Sequence, residues 1–499
     1  MRDFSENNVF LRYTAQIAAW VLCLAAIAFG IWTIYFTETG NGDNVEHLHC
    51  TWLVAQGKIP YKDFFQHHNP LMWYIFAPII GRYTKAIELL DFGHAVGITT
   101  GILTFFVVYK ICRRFYKVSF LSAMTSLLIV CPPYYYIFCF NYNPDTFMAL
   151  AFAGGLYYLF AYLEKNKQSD LCLAFIIFFA TFMFTQKILT TFAVLGPICL
   201  YLFIKRKTPI EHLFFALLLP VWCMVVFLVY LYNNGILETY WKSNYIFNMV
   251  MEKYYGNNQV AVSGYQVMIL STVLAIISTL CFFRKGNIFY KIIAILFVIE
   301  LPQRCFFFSI APYYLLPMMI YVACLNSVLI EKITKKCFVL IYILLGVSCF
   351  YLYISRDNYV MARGTDRAFA RFMSQIITPC DYVISSYMGN QSLVSKDPHY
   401  YWSILGHVDM VGEEIGVAHH PNISALVEKY KPKLVFGGAY WSSYDANRGR
   451  NILIQQINPE ILEKYYLPTR FMEFYMLKYE YRKKNCRYDK DKGEWLYAD

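Results

Sequence analysis

Eleven stretches of this chain are apolar for long enough to approach or cross a bilayer, and nothing else in the sequence limits the fold so strongly. Crossing the hydrocarbon takes ~20 helical residues. The stretches cover residues 12–36, 92–112, 118–136, 146–163, 171–184, 188–204, 212–232, 265–283, 289–301, 311–330 and 337–354. In lipid every backbone donor and acceptor must be satisfied within the segment, so runs of this kind fold as helices. The first is too long for a signal-peptide core and further spans follow it, so it reads as a retained anchor. Charged residues make up only 15% of the 499, against about 25% in soluble domains, which excludes an ordinary cytosolic enzyme. Aromatics reach 19% and exclude disorder. Neither a fixed-period repeat nor paired broken helices in matching halves points to a secondary transporter.

Basic residues accumulate in loops that stay in the cytoplasm. With the N-terminus inside, the cytoplasmic loops and the span ends flanking them hold 15 basic residues against 4 acidic, and the opposite loops and span ends hold 8 against 10. An odd number of spans then puts the tail outside. That tail, with 19 basic and 17 acidic residues, is almost neutral. The chain's net charge of +11 therefore reflects topology; no clustered basic face suggests nucleic acid. The division expected is a membrane core over 1–355, with a first outer loop at 37–91, and a soluble domain over 356–499. In the tail, helices at 367–377 and 423–430 and strands at 382–385 and 434–436 read as a small α/β unit. Of the 15 cysteines, only Cys50, Cys305, Cys380 and Cys486 fall clearly outside the spans, and their spacing specifies no disulfide framework.

The first outer loop concentrates the polar chemistry. Asp43 follows a Gly-containing turn at 39–42 and precedes an amphipathic stretch over 45–55, where a helix N-terminus favours an ionised carboxylate. Such a group at a membrane boundary can serve as a general base, and equally as a turn or capping acid. Glu46 suits a solvated helix face. His47 and His49 suit packing or hydrogen bonding better than metal binding, because their two-residue spacing would converge only on a strand. Asp63 can pair with Lys62 or cap a turn. The 70–80 segment is apolar, interrupted by Pro78 and too short to cross, so it should lie in the interface or re-enter. Asp145 follows Asn143-Pro144 at the start of the fourth span, Gln186-Lys187 occupies a tight turn, and Arg304 precedes the tenth span, with Tyr313 and Tyr314 shortly after. Cations at the hydrocarbon edge either snorkel or meet an anion such as a lipid phosphate. The two tyrosines also fit an aromatic belt.

Asp43 with Glu46-His47-Leu48-His49, then Gly57-x-x-Pro60-Tyr61-x-Asp63-Phe64, Pro70-Leu71, Asn143-Pro144-Asp145, Gln186-Lys187 and Tyr313-Tyr314-Leu315-Leu316-Pro317 resemble the GT-C integral-membrane glycosyltransferases. The nearest branch in pattern is the protein mannosyltransferase and aminoarabinose transferase group. The resemblance covers roughly residues 43–317 and is most specific in the first loop. It implies a polytopic all-α core using polyprenyl-phosphate sugars outside the cytoplasm. It also implies that Asp43 is the acid activating the acceptor, that Asp145 is a second acid, and that His68 stands where some relatives carry a lysine near the donor phosphate. The sequence departs twice. Asn44 stands where an Asp-Glu pair is common, which weakens a metal or paired-acid role, and His68 replaces a fixed cation by a titratable one.

Together these readings give an all-α polytopic membrane protein with a small α/β C-terminal domain. Its expected activity is transfer of a sugar from a polyprenyl-phosphate donor to an envelope glycan, lipid or protein, on the outer face of what is expected to be a bacterial inner membrane. Asp43 and Asp145 are the candidate catalytic acids. Lys187, Arg304 and His68 would bind the donor phosphate, and Glu46, His47, Asp63, Tyr313 and Tyr314 could line the cavity. No cofactor is assigned, and a divalent metal stays open. The alternatives are a lipid-sugar flippase, which would need polar groups distributed through its spans, and a non-catalytic scaffold on the same fold.

Overall fold

A computed structural model describes residues 3–32, 42–130, 141–255, 263–306, 316–335, 337–360, 365–385, 393–401, 407–419, 421–436, 452–469, 474–492 and 494–498. Among the described residues, every apolar run overlaps a helix. In chain order these are Asp3–Trp32, Ala86–Phe115, Phe120–Val130, Pro144–Lys165, Gln168–Phe184, Leu189–Lys205, Ile210–Asn233, Ser263–Phe282, Ile288–Phe306, Leu316–Thr334 and Val339–Val360. Among the described residues, six helices are long and apolar enough to cross a membrane by length and composition: Val9–Trp32, Ala86–Phe115, Pro144–Lys165, Gln186–Lys205, Ile210–Asn233 and Leu316–Thr334. The Ile210–Asn233 helix shows why lipid is the matching solvent. It leaves Phe214, Leu218, Trp222, Val225 and Val229 exposed, an apolar surface that water would not tolerate on a stable monomer.

The described residues group into two compact units. One comprises residues 1–37, 94–225 and 256–363, and the other 38–93, 226–255 and 364–499. In the first, the Pro144–Lys165 helix starts with Asn143 as its cap and Pro144 in its first turn, where a missing N–H costs nothing. It ends at Asn166 in the left-handed conformation (φ 55°), which turns the chain back into the Gln168–Phe184 helix. The two pack closely because Gly155 has no side chain: a Cβ there would fall under 3.0 Å from the Phe178 ring.

In the second unit, Gly42–Ala55 and Leu71–Ile80 are helices, and the tail forms a four-stranded sheet. Its strands are β1 (Val383–Ser385), β2 (Leu434–Phe436), β3 (Tyr466–Pro468) and β4 (Phe474–Leu477), in the order β1-β2-β4-β3. Only β1 and β2 are parallel. Helices 423–430 and 459–465 cover a core of Ile384, Val427, Val435, Leu453, Ile457 and Leu477. The expected small α/β unit is present, and β1 and β2 match the strands read from the sequence. A further hairpin of β5 (Cys486–Asp489) and β6 (Glu494–Tyr497) follows. A disulfide between Cys380 and Cys486 ties it to the segment entering β1, a pairing that cysteine spacing did not specify.

Candidate active site

Asp43 lies in the first turn of the Gly42–Ala55 helix and is partly exposed. The helix buries Val45, Leu48 and Trp52 on its apolar side. The same geometry carries Glu46 and His47, one turn beyond Asp43, into the protein at 2% and 1% exposure. Glu46 accepts a 2.7 Å hydrogen bond from Gln66 Nε2. His47 meets the His68 ring edge-on at 5.0 Å and stacks near Trp73 at 6.1 Å. The Gly57-x-x-Pro60-Tyr61 motif supplies the other wall. Tyr61 is held at φ 67°, a costly conformation for a bulky residue. Its N–H bonds Phe64 O at 3.0 Å, its ring packs on Tyr240, and its hydroxyl donates to the carbonyl of His68.

The sequence did not single out His67. Its ring lies 4.1 Å from that of His68, and the ligand atoms of Glu46, His67 and His68 all fall within 4.8 Å of one another. A Glu-His-His set can hold zinc or another divalent ion. The 20 residues separating Glu46 from Gln66 hid the cluster from any spacing rule; only the His67-His68 pair was visible as a signal. His49 turns elsewhere, with Nε2 2.8 Å from Asp397 Oδ2. Burial alone would lower its pKa, but the Asp397 carboxylate, reinforced by that hydrogen bond, leaves it raised above 6.5. Asp63 caps a turn: its Oδ2 accepts from the Ile59 N–H at 2.7 Å.

A second polar group is built in the first unit. Asn143 Oδ1 accepts from the Asp145 N–H at 2.9 Å and so sets the start of the helix. Thr185 caps the 3₁₀ turn Gln186–Ile188 that presents Lys187. Lys187 Nζ reaches Asp145 Oδ2 at 3.2 Å. Nearby in sequence, Thr191 Oγ1 donates to Glu300 at 2.9 Å, and Tyr321 OH donates to the other oxygen at 2.8 Å. Glu300 is 1% exposed, a buried acid that the sequence reading had left inside a span. Arg304 lies in the Ile288–Phe306 helix, but its side chain is outside the described residues, as are Tyr313 and Tyr314 and the turn preceding Asp43. The expected residues thus fall into two sets, one in each unit: Asp43, Glu46, His47 and His68, and the Asp145–Lys187 pair.

Residues 93–232 match the family described as dolichyl-phosphate-mannose-protein mannosyltransferase, and the chain as a whole has a GT-C fold. The solved structure of ArnT from Cupriavidus metallidurans, bound to undecaprenyl phosphate, is similar to it, with a TM-score of 0.58 at 9% identity. The alignment covers 92% of this chain and 97% of that one. No curated protein matches the chain.

Proposed function

We propose that the protein transfers a sugar from a polyprenyl-phosphate donor to an envelope glycan, lipid or protein at the outer face of a bacterial inner membrane, with inversion at the anomeric carbon. The observation that carries this reading is the near full-length likeness to an undecaprenyl-phosphate-bound GT-C protein, combined with a partly exposed Asp43 in the first turn of a helix. A sugar ester of lipid phosphate is already activated. The protein must therefore deprotonate the acceptor, align it behind C1 and neutralise the departing phosphate. Asp43 is the proposed base, worth ~10²–10⁴-fold, and its position beside the partial positive charge of the helix start stabilises the carboxylate between turnovers. His68, Lys187 and Arg304 are the proposed phosphate partners, with Asp145 as auxiliary acid fixing the Lys187 ammonium.

The core at 1–355 is assigned the transfer chemistry, and the tail at 356–499 is placed outside the cytoplasm with the active site, the N-terminus lying inside. The tail's disulfide supports that side, because such bonds persist in oxidising compartments. The test uses purified protein in nanodiscs with polyprenyl-phosphate sugars extracted from the host. Wild type should label an envelope acceptor and Asp43→Asn should not, while both bind the lipid donor. Undiminished turnover in Asp43→Asn would remove the base assignment. Loss of one sugar from the envelope glycans of a deletion strain would identify donor and acceptor together, and an unchanged glycan profile would count against the reading.

A further inference from the structure

We propose that a cavity in the second unit binds an uncharged or charge-balanced saccharide, and that this saccharide is part of the acceptor. The word acceptor rests on the transferase reading above; saccharide binding itself does not. The cavity measures about 370 Å³, within the range of small-ligand sites, ~300–1,000 Å³. Trp495, Tyr382 and Tyr400 line it with aromatic rings, and Lys58, Lys396 and Glu494 add hydrogen-bonding groups of both kinds.

That combination fits a pyranose. Flat rings pack against the apolar C–H face of a sugar. Hydroxyls, which both donate and accept, need ammonium donors and carboxylate acceptors within the same walls. The charges also restrict the ligand. Two lysines face Asp63, Asp397 and Glu494, so the lining has no positive excess with which to hold a polyanion. Asp63 and Asp397 are already engaged with the Ile59 N–H and His49. Lys396 Nζ lies 3.8 Å from Glu494 Oε2. Burial, with the Lys58 charge adding to it, holds Lys396 below the usual lysine range despite that carboxylate. The ammonium and carboxylate groups set among the apolar residues of the lining would be left without partners by an acyl chain.

The walls are set in advance. The Cys380–Cys486 bond anchors the β5–β6 hairpin that carries Glu494 and Trp495. Tyr497 OH donates to Asp381, which also accepts from Lys433 Nζ at 2.9 Å. On the facing side, Phe65 N–H donates to Tyr400 O at 2.8 Å, and Tyr400 OH donates to Tyr61 O at 3.2 Å. A pocket ordered before binding loses less entropy when its ligand arrives.

The full chain in nanodiscs is applied to a printed array of neutral, amino and acidic oligosaccharides, and the strongest binder is titrated by saturation-transfer NMR. Neutral or zwitterionic glycans should bind, and Trp495→Ala and the near-isosteric Glu494→Gln should each weaken binding about tenfold, with polyprenyl-phosphate binding and thermal unfolding unchanged for Glu494→Gln. In the transfer assay Glu494→Gln should raise the acceptor KM and leave kcat alone. Absence of any glycan binding, binding of polyanionic glycans only, or identical affinities for wild type and Glu494→Gln would overturn the pocket. Saccharide binding without sugar transfer would overturn the transferase reading and leave the pocket standing.

Discussion

Lys187 Nζ lies 3.2 Å from Asp145 Oδ2, and the carboxylate is the deeper partner, with 1% of its side chain exposed against 18% for the lysine. Removing the cation takes a paired positive charge from a buried anion, whereas removing the anion leaves a lysine that still reaches the surface. Lys187→Met should therefore cost ~3–5 kcal/mol, and Asp145→Asn clearly less. The double variant should recover part of the loss, because the two side chains act as one unit. Thermal unfolding of the three variants in detergent checks this, and equal additive losses would contradict it.

Asp43 sits at the partly exposed start of the helix whose next turn is buried. Asn is nearly isosteric there and still caps a helix. Asp43→Asn should leave unfolding temperature and donor affinity close to wild type and lower kcat by ~10²–10⁴-fold. Single-turnover assays with radiolabelled donor separate the chemical step from binding. A rise in KM with kcat intact would instead make Asp43 a binding residue.

How much of this was legible beforehand depended on the range of the forces involved. Among the described residues every apolar run carries a helix, because desolvating the backbone is a local demand that each segment answers alone. Asn143-Pro144-Asp145 announced a helix start for the same reason. Strands β1 and β2 were visible as short apolar runs, while β4 and the β5–β6 hairpin were not, because their partners and the disulfide lie far off in sequence. The same limit hid His67 and Glu300. Glu300 was indistinguishable from a stray charge at a span end until Thr191 and Tyr321 were seen to bond it. For Asp63 the sequence offered a turn cap or a pairing with Lys62, and the structure gives its carboxylate the turn.

The His49–Asp397 pair makes stability depend on pH. Burial would lower the folded His49 pKa, but the Asp397 charge, the hydrogen bond to that carboxylate and the contact with the Leu393 carbonyl together leave it raised above its unfolded value of 6.5. The contribution is thus fully present below about pH 6.5 and is lost as pH rises through the folded pKa. The full chain should unfold at a higher temperature at mildly acidic pH than at alkaline pH. Asp397→Asn should lower the acidic value and flatten this part of the profile, since no carboxylate then favours the imidazolium. A profile unchanged by Asp397→Asn would mean that the pair carries none of the pH dependence.

Cys380 and Cys486 are 106 residues apart, and a cross-link over so long a loop removes many unfolded conformations. The chain-entropy model gives ~4.7 kcal/mol for a loop of ~100 residues, and measured disulfides typically contribute ~2–4 kcal/mol. Cys380→Ser and Cys486→Ser should each lower stability by ~2–4 kcal/mol. The double variant should be no worse than either single one, because the first substitution already abolishes the bond. Reduction should also free the hairpin that presents Glu494 and Trp495, so saccharide affinity should fall together with stability. Peptide mapping after alkylation without reductant should recover the Cys380–Cys486 pair from the wild type. In a host unable to form disulfides outside the cytoplasm it should recover two alkylated thiols. Recovery of free thiols from an ordinary host would remove both the structural constraint and the support that the disulfide lends to the proposed extracytoplasmic side.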